Sequence, residues 1–188
     1  METRTIIFVG KPGCGKGTQA KLLSNKTGWP VFASGPLFRE IAKEDTPAGR
    51  KTKEEMESGL LSPPWFAMYL YLKTLFSVPA ETSIIFDGFN RKVPEAELIC
   101  DSLQWLGRSF SVLDIQISDE EALRRLAIRK GVEGRADDHA VDKRLEEYRT
   151  YTVAALEIFQ RTGTLVEING EQVPEKIAED VRAVLDIK

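Results

Sequence analysis

Residues 5–18 read TIIFVGKPGCGKGT. The first half is a short run of β-branched and apolar residues ending in glycine, the pattern of a strand buried on both faces. The second half holds Gly10, Gly13, Gly15 and Gly17 with Lys16 among them, and it opens a helical stretch that continues to Lys26. A strand, a glycine-rich turn and a helix start, in that order, make a phosphate cradle. The glycines remove side chains so that backbone N–H groups can surround phosphate oxygens. The helix N-terminus adds favourable potential for an anion, and Lys16 supplies a point charge for the outer phosphates. A bare glycine-rich turn with a chance lysine would lack this strand-to-helix setting. The hydroxyl that the general pattern places directly after the lysine is displaced by one residue, since Gly17 stands there and Thr18 follows.

Outward from this segment the chain alternates. Residues 31–33 (VFA), 83–87 (SIIFD), 110–117 (FSVLDIQI) and 164–168 (TLVEI) have strand character. Between them lie three helices within residues 36–77, broken at Thr46-Pro47 and at Ser62-Pro63-Pro64, then Pro94 to Leu106, Ser118 to Lys130, Asp138 to Thr162 and Val173 to Ile187. Proline is tolerated in a first helical turn, so Pro63 and Pro64 suit a helix start. Ser118 with Glu121 three residues later is a capping-box pattern. Strands alternating with helices predict an α/β fold, a five-stranded parallel sheet with helices on both faces and ligands at the carboxyl ends of the strands. With no internal repeat or low-complexity tract, a single domain is expected over residues 1–188.

Lys+Arg number 26 against Asp+Glu 29, and a net charge of −3 argues against a nucleic-acid or acidic-membrane partner. Two cysteines, Cys14 and Cys100, are too few for a disulfide framework and lack zinc-type spacing, which fits a reducing cytoplasm. The opening METRTIIFVG is too short for a signal peptide or a membrane span. Trp65 to Phe76 is the most apolar later stretch, but it contains Lys73 and is also too short to span, so it reads as a buried core helix. No long exposed apolar helix or heptad seam stands out, and a monomer is expected. Cys14 reads as a small space-filling side chain in a loop that needs small residues.

Two further stretches narrow the chemistry. Residues 33–39 read ASGPLFR and residues 87–91 read DGFNR. Together with the Gly-Lys-Gly-Thr order of residues 15–18, they resemble signatures of the adenylate kinase family: the phosphate loop, a Ser/Thr-Gly turn leading to an arginine, and an Asp-Gly-Phe-x-Arg loop after the third strand. Nearly the whole chain can be laid along the family pattern. The resemblance implies a three-layer P-loop nucleoside monophosphate kinase fold with a helical monophosphate-binding segment at about 33–62 and a short lid at about 130–138. It also implies transfer of the γ-phosphoryl group from ATP, with Mg2+, to AMP. On this resemblance Gly13, Cys14, Gly15, Lys16, Gly17 and Thr18 surround ATP. Ser34, Arg39, Leu60, Leu61, Ser62, Gly88, Phe89, Arg91 and Glu95 line the AMP site. Arg125 and Gln172 lie by the ATP base, Arg129 on the ATP phosphates, and Arg135 and Arg144 on the transferring group.

The residue types agree with those roles. Guanidinium groups such as Arg39 and Arg91 pair phosphate oxygens bidentately. Arg125 and Arg129 are four apart and share a helix face. Asp87, at a strand end beside the phosphate loop, suits magnesium held through water, with Thr18 as its neighbour. The acceptor phosphate is already a nucleophilic anion, so no general base is required and His139 reads as a surface helix residue. The short lid has no cysteine cluster, and no structural zinc is expected. Two positions differ from the family pattern. Pro36 follows the Ser-Gly turn where an acid is usual, and Glu95 stands where glutamine is usual. A carboxylate only accepts hydrogen bonds, which suits the N–H edge of guanine better than adenine. GMP, CMP or UMP therefore remain alternative acceptors, and a non-catalytic nucleotide-binding regulator is the alternative of a different class.

Overall fold

The alternating apolar stretches assemble into one parallel sheet in the computed structural model, which describes residues 3–133 and 140–187. Its strands are β1 (Arg4–Val9), β2 (Val31–Ala33), β3 (Ile84–Asp87), β4 (Ser109–Gln116) and β5 (Leu165–Asn169), in spatial order β2-β3-β1-β4-β5. β1 lies at the centre, pairing Phe8 with Asp87 on one side and Val9 with Asp114 on the other. The chain leaves β1 toward one edge and later crosses to the other, so the crevice at the carboxyl end of β1 is the switch point where such sheets bind ligands.

The helices are α1 (Lys16–Thr27), α2 (Ser34–Ile41), α3 (Pro47–Glu57), α4 (Pro64–Ser77), α5 (Val93–Trp105), α6 (Asp119–Glu133), α7 (Val141–Glu147), α8 (Val153–Arg161) and α9 (Pro174–Val184). Successive strand residues point to opposite faces. Ile7 and Val9 therefore pack with α4, α5 and α8, through Tyr71, Ile99 and Phe159 among others. Ile6 and Phe8 pack on the opposite face with Leu23 of α1 and Ile177 and Val181 of α9. The expected three layers are present. Among the described residues no helix is long and apolar enough to cross a membrane.

Three local readings need correction. The helix expected over Asp138 to Thr162 runs without a gap from Val141 to Arg161, but it is not α-helical throughout, because a π-helical turn at Tyr148–Thr152 lies between α7 and α8. Its YRTYT sequence is rich in β-branched and aromatic residues of modest helix propensity, and such turns mark functional sites. Residues 138 and 139, with His139, lie outside the described residues. The stretch Trp65 to Phe76 is helical but buried on one side only, since Met68, Leu70, Tyr71 and Leu75 are covered while Trp65, Tyr69 and Phe76 are exposed. The capping box is half formed. Ser118 Oγ accepts from the Glu121 N–H, but the Ser118 N–H donates to Glu171 Oε1 at 2.7 Å. Two arginines draw Glu121 away and hold its carboxyl down at about 2, Arg124 first and Arg125 second, by hydrogen bonding.

Candidate active site

The turn after β1 is built almost wholly from backbone. Gly10 sits at φ 136, and a Cβ there would stand 2.5 Å from Ile115 O and 2.8 Å from Cys14 Sγ, so only glycine fits. Cys14 is fully buried beneath the loop, in the space-filling place expected of it. Its N–H closes the turn on Lys11 O at 3.1 Å. Lys16 folds back over the loop and donates to Gly10 O at 2.7 Å and Lys11 O at 3.0 Å. An ammonium held on carbonyls at the mouth of an amide-lined turn is positioned to meet an incoming anion. Lys11 leaves the loop sideways to Asp119 at 2.6 Å. Asp119 also accepts from Arg149 of the π-helical turn, and hydrogen bonds from Lys11 and then Arg149 keep its carboxyl below the usual range.

Asp87 ends β3 beside this loop, and a side chain at Gly17 would start 3.2 Å from Asp87 Oδ2. Beyond it the chain turns sharply through Gly88 at φ 80 and Asn90 at φ 63. A Cβ on Gly88 would fall 2.8 Å from Ser34 Oγ and 3.0 Å from an Arg91 guanidinium nitrogen. Gly88 O instead collects two side-chain donors, Ser34 Oγ at 2.9 Å and Arg91 Nε at 2.8 Å. This links the ASGPLFR and DGFNR stretches physically. Phe89 is buried against Tyr71 and Phe86. Glu95, in the first turn of α5, is buried and accepts from the Arg91 N–H at 2.7 Å. Burial pushes its carboxyl above the ordinary range, against the opposing pull of that hydrogen bond and of the Arg91 charge.

The segment at Leu60–Ser62 is held from outside itself. Leu61 N–H donates to Glu147 Oε2 at 3.2 Å, and Lys92 Nζ donates to Leu61 O and Ser62 O at 3.3 and 3.2 Å. Gly59 lies against the start of α7, where a Cβ would stand 2.8 Å from Ala140 Cβ and 3.2 Å from Arg144 Cγ. On the far side, Arg125 ties the phosphate loop to the β5 end, donating to Cys14 O at 3.3 Å and Gly170 O at 2.8 Å. Gln172 is braced by its side-chain amide on Asn169 O and Asp180.

These walls enclose one cavity of ≈ 1150 Å³. It is lined by every expected site residue among those described: the loop from Gly13 to Thr18, Ser34, Arg39, Leu60 to Ser62, Asp87 to Phe89, Arg91, Glu95, Arg125, Arg129, Arg144 and Gln172. Arg135 falls outside the described residues. Residues not singled out from sequence also line it, notably Tyr148 and Thr152 of the π-helical turn and Arg124. Thr152 Oγ1 donates to Arg91 O at 3.1 Å, and Lys92 sits over the Tyr151 ring at 5.1 Å. The available signal was the polar and aromatic run EYRTYT inside an otherwise regular helix.

The adenylate kinase family model matches residues 8–164. An adenylate kinase of Synechococcus sp. is 36% identical over 185 residues, covering 96% of this chain and 95% of that protein. Adenylate kinase 1 of Nostoc sp. is 34% identical over 183 residues, covering 96% and 97%. The Thermus thermophilus adenylate kinase is 34% identical over 187 residues, covering 98% of each. The match takes in the phosphate loop, the Gly88 turn and the arginine-bearing helices that face one cavity, and by this measure the chain belongs to the adenylate kinase family.

Proposed function

We propose that this enzyme transfers the γ-phosphoryl group of ATP reversibly to AMP, giving two ADP. The observation that carries the reading is the single cavity, with the phosphate cradle at one end and the Ser34–Gly88–Arg91 cluster at the other. An oxygen of the AMP phosphate attacks the γ-phosphorus, the bond from that phosphorus to the β–γ bridging oxygen breaks, and ADP leaves on the donor side. The protein has little covalent chemistry to do; alignment and neutralisation of charge are what the reaction needs. Lys16, Arg129, Arg135 and Arg144 hold the transferring group, while Arg39 and Arg91 hold the acceptor phosphate in line. Arg125 and Gln172 flank the donor base, and Glu95, with the Leu60–Ser62 backbone, faces the acceptor base.

Asp87 and Thr18 are hard oxygen donors at the lip of the phosphate cradle, the donor type that magnesium selects. Thr18 and Asp87, the latter through water, would hold the ion, which when bound neutralises charge on the phosphates. The helical segment at about 33–62 closes over the nucleotides and excludes water, which would otherwise take the phosphoryl group; the short lid expected at about 130–138 lies largely outside the described residues. We place the enzyme in the cytoplasm, in keeping with its free cysteines Cys14 and Cys100.

The test is product formation from ATP-Mg with AMP, GMP, CMP, UMP or no acceptor, read by separating the nucleotides. The expected result is ADP formed fastest with AMP. Faster transfer to GMP would reassign the acceptor through Glu95, and no transfer to any acceptor would overturn the activity.

A further inference from the structure

The donor wall is assembled from three segments distant in sequence: the phosphate loop, the start of α6 and the π-helical turn. One cluster of charges joins them from behind. Lys11 Nζ donates to Ile117 O at 2.8 Å and pairs with Asp119 Oδ1 at 2.6 Å. Asp119 opens α6, where the helix N-terminus favours a carboxylate. Its other oxygen accepts from Arg149, the second residue of the π-helical turn. None of these three residues lines the cavity, but their chain neighbours do: Gly10 and Pro12 on either side of Lys11, and Tyr148 just before Arg149.

Lys11 also serves the loop through its backbone. Its carbonyl accepts from the Cys14 N–H at 3.1 Å and from Lys16 Nζ at 3.0 Å. The residue on which Lys16 rests is therefore the one whose side chain is anchored at the β4–α6 corner. A second tie joins loop and α6, Arg125 on Cys14 O at 3.3 Å, but Arg125 lines the cavity. A guanidinium that turns to a nucleotide gives up that bond. The Lys11–Asp119–Arg149 cluster has no such competing duty. Side-chain exposures of 23%, 43% and 56% leave it partly in solvent. One ion pair so placed is worth little, and a network that fixes its members' geometry is worth more.

We propose that Lys11, Asp119 and Arg149 are positioning residues for the donor phosphates. They hold the phosphate loop, and through Lys11 O the resting place of Lys16, at a set distance from α6. The role rests on ATP being the donor. Arg124, Arg125 and Arg129 all reach the cavity from α6, so the cluster sets the spacing between loop and arginines that a triphosphate must match. Displacements of about 1 Å are costly where groups must be aligned on a reacting centre. A purely electrostatic role would leave a different mark. Lys11 raises and Asp119 lowers the positive potential near an anion site. Loss of Lys11 would then weaken anion binding and loss of Asp119 would tighten it, whereas positioning requires that both losses weaken it.

The test is titration calorimetry on the full chain, with ATP and separately with AMP, which needs no turnover. Lys11→Met and Asp119→Asn should each raise the dissociation constant for ATP about 3- to 10-fold and leave that for AMP parental. Arg149→Met should act in the same direction by a smaller factor. Lys11→Met combined with Asp119→Asn should be no worse than either alone, as expected of partners in one interaction. Lys11→Arg, which keeps the charge and the donors, should restore most of the affinity. Opposite signs for Lys11→Met and Asp119→Asn would reduce the cluster to a charge effect and overturn the proposal. So would unchanged ATP affinity in both variants, or equal losses for ATP and AMP, the mark of a general structural role. A parent that binds no ATP would overturn the donor assignment together with this role, and that failure shows before any residue is changed.

Discussion

The two ends of the cavity are made in different ways. The phosphate cradle is backbone: a glycine turn that admits no side chain at Gly10, with Lys16 folded onto the loop's own carbonyls. The acceptor end is side chain. Ser34 and Arg91 converge on Gly88 O, Glu95 holds the Arg91 N–H, Thr152 holds Arg91 O, and Glu147 and Lys92 hold the Leu61–Ser62 backbone. A backbone cradle has its shape as soon as the sheet forms. The acceptor wall depends on bonds between elements as far apart in sequence as Leu61 and Glu147, and each bond can be lost separately. Damage to the first should therefore appear as lost folding or lost donor binding, and damage to the second as a selective loss of acceptor handling.

The sharpest test of this contrast is Arg91→Ala. It should lower turnover by about 10³–10⁵-fold, in the range reported for an arginine that stabilises a transferring phosphoryl group, with the thermal transition nearly unchanged. Near-parental turnover would remove Arg91 from the mechanism. Next in size, Gly10→Ala should destabilise the protein by about 2–4 kcal/mol, because the new methyl meets Ile115 O and Cys14 Sγ at a left-handed backbone position. The denaturation midpoint measures this. A soluble, normally stable Gly10→Ala enzyme would mean the cradle tolerates side chains after all.

A smaller effect is expected at the π-helical turn. Thr152→Val removes the hydroxyl that donates to Arg91 O, worth about 1 kcal/mol or roughly fivefold. The loss should appear in KM for the acceptor and not in KM for ATP, and Thr152→Ser should recover it. An equal rise in both constants would make Thr152 a general packing residue rather than part of the acceptor wall.

The smallest effect concerns Glu95 and pH. Its carboxyl is raised by burial, so the folded state takes up its proton more readily than the unfolded chain. The favourable contribution is full below the ordinary carboxylate range and is lost as pH rises through the raised folded value. Glu95→Gln has no such loss. The variant should gain in melting temperature relative to the parent on going from about pH 4 to pH 8, a direction fixed by linkage. A parent whose stability relative to the variant rises with pH would show that Glu95 is better paired when ionised.

What could be read from sequence follows the same division. The strand, the glycine turn and Lys16 are local, and local constraints leave residue-type signatures: a methyl cannot fit at Gly10, so the glycine is visible in the string. The parallel sheet and its layers followed from strand–helix alternation, and the arginine set from the family resemblance, while the order of the strands in the sheet was not predicted. Glu147, Lys92 and Thr152 were not legible, because each acts on the backbone of a distant segment and any residue type can offer a carbonyl or an N–H. The π-helical turn escaped for a related reason, since one added residue in a helix hardly disturbs its apolar period. The exposed side of α4 escaped because apolar content alone does not tell which face is covered.

Gly59 rests on Ala140, just before α7, and the Leu61 N–H donates to Glu147, the last residue of that helix. The acceptor segment at Gly59–Leu61 is thus propped on α7, the helix whose Arg144 also lines the cavity. Anything that draws α7 toward the donor also carries the floor of the acceptor chamber, and the reverse holds equally. Free-energy coupling of this kind is reciprocal: whatever factor ATP contributes to AMP affinity, AMP must return to ATP. A nucleotide at one end that strengthens binding at the other is then strengthened by it in the same proportion, and one that weakens it is weakened alike.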